Sequence, residues 1–204
     1  MQTELSNQIS PDNQQRKGRI IFVLMTIFFV VPIVVVTIMY KLNWMPTGQS
    51  YGELIMPPRL IEQPETLKDS DGKVASRFWS DRWNMVYVTD ICEQTCKEKL
   101  HTMRQLHVSL YKDISRTQRV LITNTQDVSK IKADYPDLII LNQSAGDIKK
   151  LSQQFSLDNE VAAQTNRLYL VDPLGHIMMS YQATTPAADI RKDLIRLLKY
   201  SWAA

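Results

Sequence analysis

Residues 83–100 read Trp83-Asn84-Met85-Val86-Tyr87-Val88-Thr89-Asp90-Ile91-Cys92-Glu93-Gln94-Thr95-Cys96-Lys97-Glu98-Lys99-Leu100, and the fold turns on this stretch. Trp83 to Val88 is an apolar run rich in β-branched and aromatic residues, which predicts a strand. From Thr95 to Tyr111 the apolar residues recur at helical spacing, with Leu100, Met103 and Leu110 on one face, so a helix is expected there. Between the two lie Cys92 and Cys96, the chain's only cysteines. A strand that ends in a close cysteine pair and turns into a helix is the layout of redox and metal sites, so any chemistry is expected in this pentapeptide.

Residues four apart on a helix share a face. Their α-carbons, about 6 Å apart, fall inside the window of about 4.4 to 6.8 Å that a disulfide needs. Cys92 would precede the first turn, where unpaired N–H groups and the helix dipole favour a thiolate. It is the expected attacking sulfur, with Cys96 as the resolving one. Two other readings stay open. The pair can be a static staple, although so short a loop adds little entropic stabilisation. Two thiolates also suit Cu(I), but a third ligand, usually a histidine, would be expected. His101 points away from Cys96, and His107 lies roughly 16 Å along the helix axis from it. His176 opens a later strand after a turn. His107 is expected as a hydrogen-bonded histidine at the core edge and His176 as a solvated turn residue.

The compartment follows from an earlier segment. Ile20 to Tyr40 carries no charged residue and, at about 1.5 Å per residue, covers roughly 30 Å, the thickness of a bilayer's hydrocarbon core. Arg16, Lys17 and Arg19 precede it and only Lys41 follows closely, so the positive-inside bias keeps the N-terminus cytoplasmic. The chain therefore divides into a cytoplasmic tail (1–19), whose first residues are polar and expected to be disordered, a transmembrane helix (20–40), a proline- and glycine-rich tether (41–64) and one extracytoplasmic domain (65–204). Within the tether, Gly52 to Met56 is a candidate short strand that Pro57-Pro58 should stop. Disulfides persist outside the cytoplasm. The net charge of +3 leaves no electrostatic footprint for nucleic acid, so the lipid bilayer is the expected non-protein partner.

The domain alternates between the two periods. After the first strand and helix come strands at Arg119 to Thr123 and Leu138 to Leu141, with helices at Val128 to Asp134 and Gly146 to Phe155. Asp172-Pro173-Leu174-Gly175 should turn Arg167 to Val171 into an antiparallel hairpin with His176 to Tyr181. A last helix runs to Tyr200, with Thr185 as its expected N-cap and Pro186 in its first position. A β-α-β core, a hairpin and a terminal helix make an α/β, thioredoxin-like fold, a mixed sheet flanked by helices. Phe78, Trp79 and Trp83 are expected in its core.

The segment Thr89-Asp90-Ile91-Cys92-Glu93-Gln94-Thr95-Cys96, the single anchor, and Leu168-Tyr169-Leu170-Val171-Asp172-Pro173-Leu174-Gly175 together resemble the Sco/SenC family of membrane-anchored thioredoxin-like proteins. Tyr51-Gly52-Glu53-Leu54 and Pro57-Pro58-Arg59 are more specifically similar to a divergent group of small membrane proteins encoded with bacterial cytochrome oxidase genes. The resemblance implies an assembly factor for cytochrome c oxidase that handles thiols and copper. It implies Cys92 and Cys96 as catalytic residues and as the candidate copper ligands, and an oxidase subunit or its assembly factors as partners. The site would sit on the periplasmic side of a bacterial inner membrane. Family members commonly carry proline after each cysteine and a histidine shortly before the strand that is here Arg167 to Val171. This chain has Glu93 and Lys97, and Val161-Ala162-Ala163-Gln164-Thr165-Asn166, which shifts the expectation from a three-ligand copper site to thiol-disulfide exchange. A non-catalytic scaffold with a closed disulfide is the alternative.

Overall fold

The computed structural model describes residues 11–42, 50–64, 68, 69, 72, 79, 81–142, 145–157 and 160–201. They form two compact units, Met1–Gln49 and Ser50–Ala204. The first is helix α1, Pro11–Lys41. Its apolar part is long and apolar enough to cross a membrane, with a mean hydropathy of 3.0. Proline is well tolerated in the first position of a helix, and α1 reaches back to Pro11, so the end of the tail expected to be disordered is helical.

The second unit holds β1 (Glu53–Leu60), β2 (Trp83–Thr89), α2 (Gln94–Val108), β3 (Thr117–Thr123), α3 (Ser129–Asp134) and β4 (Ile139–Leu141). After these come α4 (Ala145–Gln154), β5 (Leu168–Val171), β6 (His176–Tyr181) and α5 (Ala187–Tyr200). The strands form one sheet in the order β1-β6-β5-β2-β3-β4. β2, β3 and β4 run parallel, while β5, β6 and β1 pair antiparallel with their neighbours. Central β2 is buried along its whole length, as a strand covered on both faces must be. Its period-2 alternation sends Met85 and Tyr87 into a core with Leu100, Met103 and Leu106 of α2 and Leu194 and Leu198 of α5. Val86 and Val88 face the other layer, against Leu151 of α4 and Phe155 just beyond its end.

Several boundaries differ from the sequence expectation for local reasons. β1 continues through Pro57-Pro58 to Leu60, so part of the stretch read as tether (41–64) supplies an edge strand, and the compact unit begins at Ser50. The ladder to β6 is paired at Glu53, Leu54, Arg59 and Leu60 and irregular between them. Both prolines therefore fall where no ladder N–H is required. The helix expected to reach Tyr111 stops at Val108, because Tyr111 adopts φ 50° and opens a 3-10 turn to Arg116. In α5 the N-cap is Pro186, in extended conformation, rather than Thr185. Trp79 and Trp83 are buried as expected. Phe78 lies outside the described residues.

Candidate functional site

The two cysteines are joined by a disulfide with their α-carbons 5.0 Å apart. Glu93 is the N-cap of α2 and makes no side-chain capping bond, which puts Cys92 just ahead of the helix and Cys96 in its first turn. The first turn of a helix carries N–H groups without intrahelical acceptors, so a negative sulfur is favoured here. Cys96 is 2 % exposed and packs with Leu100 and Met103. Cys92 is only half-buried. Of the two sulfurs, Cys92 is the one open to a partner.

A polar latch holds the cysteine loop in place. The backbone N–H of Cys92 donates to Oγ1 of Thr125 at 2.9 Å. Thr125 is in turn bound by Thr123, whose hydroxyl donates to Thr125 Oγ1 at 3.0 Å and accepts the Thr125 N–H at 3.1 Å. Asp90 accepts from the Asn124 backbone N–H at 3.1 Å and from its side-chain amide at 2.9 Å. From the end of β4, Asn142 donates to the carbonyls of Thr125 and Gln126, both at 3.2 Å. The C-terminal ends of three parallel strands thus clamp the loop that carries Cys92. Nothing in the sequence pattern singled out Thr123, Thr125 or Asn142.

Asn166 occupies the stretch where the resemblance would place a histidine. Tyr87 pairs with Leu168, and continuing that register sets Asn166 in line with Thr89, at the end of β2 from which the cysteine loop departs. Asn166 takes φ 52°, a conformation that asparagine tolerates better than most residues. Its Oδ1 accepts the Tyr87 hydroxyl at 2.7 Å. Burial raises the Tyr87 phenol above its usual range, so this hydroxyl stays protonated and donating.

His101 and His107 are placed as the sequence suggested, whereas His176, expected as a solvated turn residue, is part-buried at the start of β6 and paired with Asp172. His101 contacts Gln105 on the surface of α2 at 2.9 Å. His107 sits at the core edge with Nε2 at 3.1 Å from the carbonyls of both Ile114 and Thr117, an arrangement that makes Nε2 the protonated nitrogen. His176 is held by Asp172, with Nδ1 to Oδ2 at 3.0 Å, in the hairpin turn at the start of β6. That turn adjoins Val171, which pairs with Asn84 near the start of β2, so it lies at the opposite end of the sheet from Cys92. Among the described residues no three His, Cys, Asp or Glu side chains gather as a metal site. The donor set at the cysteines is two sulfurs and does not fit a three-ligand copper centre. A groove of about 630 Å³ lined by Trp83, Leu174, Met178, Leu197 and Tyr200 also opens at the far end of the sheet, away from the pair.

A disulfide set across the first turn of the helix that follows the central strand of a mixed sheet defines a thioredoxin-like domain with a paired-sulfur site. The chain belongs to the family described as transmembrane-like, thioredoxin-like, C-terminal domain, which matches residues 83–201. Its structural neighbours are Sco/SenC family proteins. BsSco, a Sco-family cytochrome c oxidase assembly protein in which a disulfide switch was identified, is 18% identical over 73% of this chain and 100% of its own, with a TM-score of 0.56. Yeast Sco1 with copper bound is 16% identical over 76% of this chain and 96% of its own, with a TM-score of 0.57. A SCO1/SenC family lipoprotein from Bacillus anthracis is 22% identical over 70% and 98%, with a TM-score of 0.52. At such identities the likeness is one of fold. No curated protein sequence matches the chain.

Proposed function

We propose that the protein is a membrane-anchored thiol-disulfide exchange factor serving cytochrome c oxidase assembly, with Cys92 as the attacking sulfur and Cys96 as the resolving one. The observation that carries this reading is the asymmetry of the pair: a half-exposed Cys92 ahead of an uncapped helix N-terminus and a buried Cys96 one turn on. The Cys92 thiolate attacks one sulfur of a partner disulfide, that bond breaks, and the partner's other sulfur leaves as a thiolate and takes up a proton. Cys96 then attacks the mixed disulfide at Cys92 Sγ, releasing the second partner thiol. Two electrons pass from the pair to the partner, and the 92–96 bond closes. Helix α1 serves as the anchor of a bacterial inner-membrane protein with its N-terminus cytoplasmic and its domain periplasmic. The partner is an oxidase subunit or assembly factor that presents cysteines. The oxidase role is supported by the Sco neighbours, and the membrane anchor by the transmembrane-like family and the apolar helix α1.

A second reading is favoured by the closed disulfide and the depth of Cys96: a scaffold that binds assembly partners with the bond permanently formed. Replacing both cysteines by serine in the producing organism separates the two. The exchange reading expects oxidase activity to fall although the folded protein accumulates. Full oxidase activity with a folded double variant supports the scaffold.

A further inference from the structure

Asp172 fixes the ring of His176. Nδ1 lies 3.0 Å from Oδ2 of Asp172 and 3.3 Å from Oδ1, and Oδ1 also accepts the backbone N–H groups of Leu174 at 2.9 Å and of His176 at 2.7 Å. A carboxylate held by that many donors stays in one place. It keeps the ring proton on Nδ1 and leaves the lone pair on Nε2, which has no hydrogen-bond partner among the described residues. The side chain is 33 % exposed, so the ring is open to solvent. A histidine whose other nitrogen donates to a carboxylate has the support that metal-bound histidines almost always have.

A soft donor stands two residues along the same strand. Met179 pairs with Leu170 and Ile177 with Val171, which are adjacent in β5, so Met178 is an extra residue outside the ladder. Bulges of this kind re-aim a side chain. Met178 lies against the layer formed with α2 and α5, whereas Ile177 is buried in the layer with α4. Side chains alternate along a strand, which puts His176 on the Met178 face with roughly 6–7 Å between their α-carbons. Met178 and Asp172 both line the groove of about 630 Å³ at this end of the sheet. The sulfur of Met179 is taken up by the Tyr181 hydroxyl at 3.2 Å, so Met178 carries the thioether available there.

We propose that Nε2 of His176 and Sδ of Met178 hold one Cu(I) ion at the rim of this groove, with Asp172 as the positioning residue for the imidazole. An imidazole suits zinc, copper, iron or nickel and a thioether selects Cu(I), so copper is the metal that both donors accept. The site goes beyond the exchange reading and does not depend on it. It lies at the end of the sheet opposite Cys92 and uses neither cysteine, so it binds copper while the 92–96 bond is closed. Both donors are neutral and only the Asp172 carboxylate behind the ring offsets the charge of the ion, an arrangement that suits a cargo ion held loosely.

The test uses the full chain in detergent micelles with its disulfide closed, which keeps both cysteine sulfurs out of the measurement. Cu(I), supplied under argon as its acetonitrile complex, is titrated in competition with the chromophoric chelator bicinchoninate. One Cu(I) per chain is expected. His176→Gln and Met178→Leu should each weaken binding by about tenfold or more, and Asp172→Asn by about tenfold. X-ray absorption of the copper-loaded parent should show both sulfur and nitrogen neighbours, and this readout stands even where a variant fails to fold. Absence of copper binding by the parent overturns the proposal. So does unchanged affinity in folded His176→Gln and Met178→Leu proteins, or a copper spectrum with no sulfur neighbour.

Discussion

Cys92 and Thr125, on loops that follow β2 and β3, are joined by a hydrogen bond of 2.9 Å from the cysteine N–H to the threonine Oγ1. A sulfur in a loop of this kind is only as well placed as the loop itself, and Thr125 connects it to the parallel core of the sheet through Thr123 and Asn142.

Thr125→Val removes the acceptor and keeps the shape. It should cost about 1–3 kcal/mol of unfolding free energy by leaving the Cys92 N–H without its acceptor, while the Thr123 hydroxyl keeps the Asp90 carbonyl at 3.3 Å. Thr125→Ser should restore most of it. Urea unfolding of the oxidised proteins measures both, and a valine variant as stable as the parent would remove the latch from the account.

Asp193→Ala is expected to lower stability by about 2–4 kcal/mol, since the Tyr51 and Gly52 N–H groups lose a charged acceptor. Hydrogen exchange gives the local signature: the amides of Tyr51 and Gly52 should exchange much faster in this variant. Exchange confined to the parent rate would show that other groups hold β1.

Gly52→Ala tests the close approach. The added methyl meets the buried Tyr181 ring, and overpacking of this kind typically costs about 1–3 kcal/mol. A neutral result in thermal unfolding would mean that the ring can move aside.

His107 sets a pH dependence. Burial pushes its pKa below the ordinary value, outweighing the carbonyls of Thr117 and Ile114, which raise it; Arg119 lowers it further and Asp137 raises it. The folded state therefore resists protonation. His107 contributes no pH-dependent loss above its unfolded pKa of about 6.5, and stability should fall as pH drops from there through the depressed folded value. Urea unfolding between about pH 7.5 and 5.5 should show this decline, and His107→Gln should flatten it. An unchanged slope in the variant would assign the decline to other groups.

Much of the architecture was legible because long, strongly patterned segments dominate it. The all-buried run of β2, the face carrying Leu100 and Met103, and the hairpin at Asp172-Pro173-Leu174-Gly175 each follow from local periodicity or turn chemistry. The misses lie where long-range pairing overrides local preference. Pro57-Pro58 reads as a strand stop, but the interrupted ladder to β6 leaves their missing N–H groups without consequence. The cysteines stood out by composition and spacing, whereas their support did not. Thr125 and Asn142 lie far from Cys92 in sequence, and a threonine or asparagine in a loop carries no pattern that announces a distant partner. Asp193 was hidden for the same reason, as a charged residue within a helix that otherwise reads as amphipathic.

The reduction potential of the Cys92–Cys96 disulfide, measured against glutathione or dithiothreitol buffers, bears most directly on the exchange mechanism. A cycling pair is expected in the range of known thiol-exchange proteins, about −270 to −120 mV. A value below about −300 mV, typical of structural disulfides, would contradict cycling and leave the bond as a staple.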